Sequence, residues 1–474
     1  MGPFSAKRNT QSQRRGRPAT GLPRHRLRRH GAARNRGGLR SRRTSDPGLP
    51  HPHRRSSPAR PHQSQALPAA RHPLLSHHPR RRLAAPNHRP HCQRGPRPGP
   101  QRHCLAGHRR IDGLRLQPLG ETAMTLGIGI IGTGGISRAH VQGYQNMPDQ
   151  ARIVAVADID PQRARDAAAE WGVEHVFTDY RDLLALEAVD AVSVCTFNQA
   201  HRAPTIAALE AGKHVLVEKP LAATLDDAAA MARAAQGAKG LLMVEMKWRF
   251  MPEILAARQA IARGDLGPIY YAEAIGWQHR GIPGRSFIQR DMAGGGALMD
   301  NGVYTLDAAL YMLGHPRPLT ASGTAANIFG HATDGNWDPA LFSVEDFGTA
   351  FVRLEGGISL FFAHAWAIDF DEQWQVRLAG RQGAVELRPF GPDAKLRLRQ
   401  GGYADLADCT PTELPPGSTE VPYAVGQFVE AIQTGAPSPV PADTFLYTNA
   451  IFDALYQSSQ QGREVAIELP DLSA

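Results

Sequence analysis

Three polar side chains, Lys219, Asp300 and Tyr304, stand where they could hold a negative oxygen and move a proton. Lys219 lies in HVLVEKP, directly after an apolar run of strand type. A lysine at the end of a parallel strand can grip a hydroxyl and, as a cation, favour its alkoxide form. The proline that follows, Pro220, is of the kind that tolerates a cis bond, which would fix the direction of the lysine. Asp300 and Tyr304 lie four apart in GGGALMDNGVYTLD, so a helix would turn both toward one point. Tyr304 could remove a hydroxyl proton once a neighbouring cation lowers its phenol, and Asp300 would orient the substrate or that cation.

Such groups need a second reactant, and the stretch LGIGIIGTGGIS provides a place for it. An apolar strand runs into Gly132, Thr133, Gly134, Gly135, Ile136 and Ser137, and a helix follows. Gly132 suits a tight turn, Gly134 lets backbone approach a pyrophosphate, and the helix directs its free N–H groups at that anion. Ser137 stands where a third glycine is common, so the string is weak by itself. The next strand, ARIVAVAD, ends on Asp158, placed to hold the adenosine ribose hydroxyls. Ile159 follows where a reader of a 2′-phosphate would carry Arg or Ser. NAD is therefore expected in preference to NADP.

Charge is divided along the 474 residues. Residues 1–123 hold 28 Lys and Arg against 3 acids, whereas residues 124–474 hold 26 against 41. The basic segment is rich in Arg, Pro, His and Gly and has no apolar period, so it is expected to be disordered. It reads either as upstream DNA translated from too early a start, with Met124 the natural beginning, or as a basic arm that binds nucleic acid. The first reading explains more of its composition, and the acidic remainder argues against a phosphate-backbone binder. His91, Cys92, His103, Cys104 and His108 match no zinc-finger spacing, so no metal is expected. Cys195 and Cys409 make no disulfide framework, and no apolar run in residues 1–123 suits a signal peptide or membrane span. A cytoplasmic location is expected.

From residue 124 to about 245 strands and helices alternate, which predicts an α/β doubly wound parallel sheet. Its helices include 161–171, capped by Asp160. Asn198 and His201 lie just past the strand VDAVSVCT, where ligands bind in such sheets. Beyond 245 come a helix at 252–263, a strand at 269–277 and a helical stretch at 297–313. Strand-like segments at 347–354, 358–366, 374–379 and 384–387 follow, then closing helices at 422–434 and 443–460. Neighbouring strands with few helices predict an α+β domain, residues 246–474, with a large, mainly antiparallel open sheet.

In IGTGGIS, VAVADID, CTFNQAHR, AGKHVLVEKPLA, RFMP, RGDLGPI, GGGALMDNGVY and VEDF, taken in order, the chain resembles the GFO/IDH/MocA oxidoreductases from about residue 124 to 470. The resemblance implies an N-terminal Rossmann domain at 124–245, a C-terminal domain whose open sheet forms an oligomer interface, and hydride exchange between NAD(P) and a sugar or cyclitol carbon. It also implies that Lys219 is the catalytic lysine and Asp300 its partner, with Glu218 beside them at the cofactor. Two positions depart from the pattern. Tyr304 stands where most members carry histidine, and Phe197 where proline usually precedes the asparagine.

A homodimer or homotetramer acting on a small carbohydrate or cyclitol is the expectation. Lys247, Trp248, Arg249, Trp277, His279, Arg280, Arg285, His364 and Trp366 are candidates for the sugar site, His364 and Arg280 foremost, since each hydroxyl needs a polar partner and a ring face stacks on indole. Arg249 reads equally as structural. Two other functions use the same residues: an enzyme that retains its nucleotide to couple two sugars, epimerise or hydrolyse, and a non-catalytic NAD sensor. Intact Lys219, Asp300 and Tyr304 argue against the sensor.

Overall fold

The computed structural model describes residues 124–390 and 395–472. The basic segment 1–123, with its expected disorder and its candidate His and Cys residues, lies outside the described residues.

The first half is a six-stranded parallel sheet. Its strands are β1 (Leu126–Ile131), β2 (Ala151–Ala157), β3 (His175–Phe177), β4 (Ala191–Val194), β5 (His214–Glu218) and β6 (Leu242–Glu245), in the order β3-β2-β1-β4-β5-β6. The crossovers are α1 (Ser137–Gln145), α2 (Pro161–Trp171), α3 (Tyr180–Leu184), α4 (Arg202–Glu210) and α5 (Leu225–Gly237). β1, β4 and β6 are buried along their whole length, as strands covered on both faces must be. Local chemistry sets the helix starts. The Asp160 carboxylate accepts from the N–H groups of Gln162 and Arg163, and Pro161 takes the first turn of α2, where no N–H is needed.

The second half is built on a nine-stranded open sheet. In chain order come α6 (Pro252–Ala262), β7 (Ile269–Trp277), the short α7 (Arg290–Ala293), α8 (Val303–Leu313), β8 (Pro318–Ala326), β9 (Phe347–Leu354), β10 (Ile358–Ala365), β11 (Gln373–Gly380), β12 (Gly383–Leu387), β13 (Leu396–Gln400), β14 (Ala407–Asp408), α9 (Val421–Thr434), α10 (Ala442–Gln461) and β15 (Val465–Ala466). The sheet order is β14-β13-β12-β11-β7-β10-β9-β8-β15. All pairs are antiparallel except β7 with β10, so the expected mainly antiparallel sheet is mixed at its centre. Alternation along β9 buries Gly348, Ala350, Val352 and Leu354 against the helices and leaves Phe351 and Arg353 on the other face.

One departure matters for the site. The stretch expected as a single helix at 297–313 opens with a π-helical turn, Leu298–Gly302, and becomes α-helical only at Val303. Gly296 explains the crowding there: a Cβ would stand 1.9 Å from the Glu345 carbonyl oxygen. The Glu345 Oε1 accepts from the N–H groups of Gly296 and Leu298, which ties the start of the turn to the sheet.

Candidate active site

Lys219 leaves the carboxyl end of β5 through a cis peptide bond to Pro220. Its Nζ donates to the Asp300 carbonyl at 2.5 Å and to Asp300 Oδ1 at 3.3 Å, and lies 4.8 Å from the centre of the Tyr304 ring. The π turn brings the Asp300 carbonyl and carboxylate to the lysine together. On the far side of Asp300, the Trp366 indole N–H donates to Oδ2 at 3.1 Å from a fully buried ring. Trp366, expected as a sugar platform, instead holds the aspartate. Lys247 adds a second ammonium 5.8 Å from the Tyr304 ring, and Trp248 packs on that ring at 5.3 Å.

The glycine turn stands at the carboxyl end of β1. With β4 between β1 and β5, it lies about 10 Å along the sheet from Lys219. Gly132 adopts φ 87°, the left-handed region that glycine tolerates, and a Cβ would meet Cys195 backbone at 2.9 Å. Gly134 and Gly135 face open space, and no side chain caps the start of α1. An open backbone cradle beneath free helix N–H groups fits the diphosphate of a dinucleotide. Ser137, in the third glycine position, is buried and donates to the Gly134 carbonyl at 2.6 Å, bracing the turn from below. Asp158 Oδ2 accepts from the Thr133 N–H and hydroxyl, and Oδ1 from the Asp160 N–H. The carboxylate is thereby fixed at the end of β2, and Ile159 beside it is 85% exposed with no charge to offer.

Several expected residues do other work. His201 is fully buried, with Nδ1 near the Pro220 and Leu221 carbonyls and Nε2 near that of Thr196; burial lowers its pKa, and it braces the loop behind Lys219 instead of touching cofactor. Glu218 likewise turns inward, paired with His140 Nε2 at 2.9 Å. Asn198 Nδ2 donates to the Ala293 carbonyl at 2.8 Å, joining the loop after β4 to the residues ahead of the glycine triplet. The guanidinium of Arg280 is taken by Asp369 and the His279 carbonyl. Arg249 is structural, buried in a two-pronged pair with Asp307 at 2.9 and 2.7 Å. Trp277 stacks on Phe347, and His279 and Arg285 are exposed. His364 is sealed under the site, with no partner for either ring nitrogen and its pKa pushed down to about 3 by burial and by Lys219. Tyr304 corrects the expectation most sharply. Its phenol is pushed well above the ordinary value, not lowered, because burial and the carboxylates of Glu245, Glu218 and Asp300 outweigh the nearby ammonium groups.

Residues 126–246 match the oxidoreductase family with an NAD-binding Rossmann fold, and residues 254–386 match the GFO/IDH/MocA C-terminal domain. The chain belongs to the GFO/IDH/MocA family. It is similar to D-glucoside 3-dehydrogenase of Escherichia coli, 29% identical over 355 residues that cover 73% of this chain and 99% of the relative. It is also similar to inositol 2-dehydrogenase of Rhizobium meliloti, 28% identical over 73% of this chain and all of the relative. Among solved structures, aldose-aldose oxidoreductase from Caulobacter crescentus complexed with glycerol matches with a TM-score of 0.61 at 27% identity, over 72% of this chain and 99% of that one. Levoglucosan dehydrogenase in complex with NADH shares the fold, with a TM-score of 0.65 at 22% identity over 73% of this chain and the whole of that one. As a GFO/IDH/MocA protein the chain is an NAD(P)-dependent oxidoreductase. Among the described residues, no helix is long and apolar enough to cross a membrane, and no cluster of His, Cys, Asp or Glu is arranged to hold a metal ion.

Proposed function

We propose that the protein is an NAD-dependent dehydrogenase that oxidises a CH–OH carbon of a sugar, sugar derivative or cyclitol. The observation that carries this reading is the convergence of Lys219, Asp300 and Tyr304 at the end of β5, two strands from the open glycine turn. Gly132–Ser137 hold the diphosphate and Asp158 the ribose hydroxyls; uncharged Ile159 favours NAD over NADP. When bound, the nicotinamide supplies or accepts the hydride. Lys219 Nζ holds the substrate oxygen and stabilises its negative charge. Asp300, pinned by Trp366, sets the direction of Nζ. Tyr304 as a neutral phenol gives its proton to a carbonyl oxygen during reduction, and its phenolate form, scarce because burial raises the phenol, takes the alcohol proton during oxidation.

The named activities of the relatives, on glucosides and inositol, support a polyhydroxylated substrate. The reading divides the chain into a nucleotide domain up to about residue 245 and a substrate domain beyond it. The reading includes assembly as a homodimer or homotetramer through the outer face of the nine-stranded sheet, where Phe351 is 38% exposed and lies in register beside Phe361. The resemblance to an aldose-aldose oxidoreductase favours one alternative, a retained nucleotide cycled between two sugars. Reduced-nicotinamide absorbance, with NAD or NADP offered alongside sugars, sugar acids and inositols, separates them. Steady reduction with one substrate class supports the dehydrogenase, and turnover that requires a second sugar supports the alternative.

A further inference from the structure

Beneath Lys219 the sheet buries two carboxyl groups side by side. Glu218 ends β5 and Glu245 ends β6, and they are direct register partners, 5% and 1% exposed. Their circumstances differ. Glu218 accepts from His140 Nε2 at 2.9 Å and from the Lys219 backbone N–H at 3.2 Å. His140 Nδ1 lies 3.1 Å from Ser193 Oγ, which lies 2.8 Å from the Tyr144 hydroxyl. One arrangement of protons satisfies this chain: Tyr144 donates to Ser193, Ser193 to His140, and His140 to an ionised Glu218. The chain stops at Tyr144, which is 1% exposed, so it gives a proton no exit to solvent. Glu245 Oε1, by contrast, is buried with no hydrogen-bond partner. Two adjacent buried carboxylates cannot both ionise cheaply, and the one without donors is the one that keeps the proton.

We propose that Glu245 is a positioning residue of the active site: a carboxylic acid carrying the single proton that it and Glu218 share, whose ionisation sets how firmly Tyr304 holds its own. This rests on Tyr304 being the proton-transfer group. The charged and titratable groups around Glu245 are Glu218 at the end of β5, Lys219 directly after it, Lys247 from the turn after β6, Tyr304 from α8 and Cys195 directly after β4, with Asp300 also facing Tyr304 and with His140 and His201 reaching it through Glu218. Burial and then Glu218 push Glu245 up to about 8, against the pull of Lys247 and Lys219. Burial also pushes Glu218 upward, but the His140 hydrogen bond and the Lys219 ammonium outweigh it and hold Glu218 below its ordinary value. As Glu245 loses its proton, its negative charge joins those of Glu218 and Asp300 near the phenol and makes it harder to ionise.

The test has two arms on the full-length protein. In the first, without nucleotide or sugar, infrared difference spectra are recorded from about pH 5 to about pH 9. A carboxylic-acid carbonyl band that titrates near neutrality should be lost in Glu245→Gln. In Glu218→Gln its midpoint should fall by on the order of one unit or more, because the like charge has gone. Bands from the other raised carboxyls, Glu345 and Asp453, should persist in both variants. A Glu245→Gln spectrum that keeps every wild-type band, or a Glu218→Gln spectrum in which none moves, overturns the shared proton; the second variant carries the test if the first does not fold. In the second arm, the alkaline limb of substrate oxidation should move to lower pH in Glu245→Gln, and an unmoved limb overturns its control of Tyr304. The infrared arm needs no substrate, so failure to find a sugar oxidised leaves it intact.

Discussion

Replacing Trp366 by Phe removes one N–H donor and keeps most of the ring. The indole is fully buried in a small apolar cluster with Ile288, Phe342 and Val344, and its N–H is the donor given to Asp300 Oδ2, at 3.1 Å. Loss of a hydrogen bond to a charged group, which also leaves a carboxylate oxygen dry, costs about 1.5–3 kcal/mol. Asp300 can recover solvation only by rotating, and rotation withdraws Oδ1 from Lys219, 3.3 Å away. If that penalty falls on the transition state it slows turnover by about 10- to 150-fold. The assay measures kcat and nucleotide affinity with thermal unfolding as a control; kcat should fall while nucleotide affinity stays near wild type. A folded Trp366→Phe protein with kcat within about twofold of wild type would refute the claim that the indole aims Asp300 at Lys219.

Other expectations follow from the same geometry. Because the Tyr304 phenol is raised, its basic form grows only at alkaline pH, so the oxidation rate should climb with pH through the alkaline range; Tyr304→Phe should lose that climb in the pH profile of kcat. Arg249→Met leaves Asp307 buried and unpaired and should destabilise the fold by about 3–5 kcal/mol, read by denaturant unfolding. Substituting Ile159→Arg with Asp158→Ser exchanges a fixed carboxylate for a cation at the end of β2, and the ratio of NADP to NAD affinity should rise at least about tenfold by titration.

Elements with strong local signals were legible in the chain. α2 begins where Asp160 and Pro161 place it, and β7 and β9 fall on the strands expected at 269–277 and 347–354, β9 with clear alternation. β8 was missed because PLTASGTAA is small and polar, and it becomes a strand through pairing with β9. The parallel pairing of β7 with β10 is a non-local event that no periodicity records. The π turn escaped for a similar reason: it depends on Gly296 lying against Glu345 across the fold. The convergence of Lys219, Asp300 and Tyr304 was legible, the lysine from its place after a strand and the other two from their helical spacing. His201 misled because a polar residue after a strand reads as a ligand, whereas this one satisfies buried backbone carbonyls. Glu245 carried no signal, since an acid ending LLMVE reads as a solvated strand end; only the register with Glu218 reveals it. The sequence sets cations beside Tyr304, whereas burial and the carboxylates of Glu245, Glu218 and Asp300, gathered there only by the fold, raise its phenol.

The central claim is that Lys219 holds the reacting oxygen. With the best substrate of the sugar and cyclitol panel, nicotinamide reduction and NAD binding are measured side by side for wild type and Lys219→Met. The account predicts a loss of at least about 10²–10³-fold in turnover, the cost of removing one donor from a developing oxyanion, with nucleotide affinity nearly unchanged. A folded Lys219→Met protein that reduces NAD at close to the wild-type rate would contradict it.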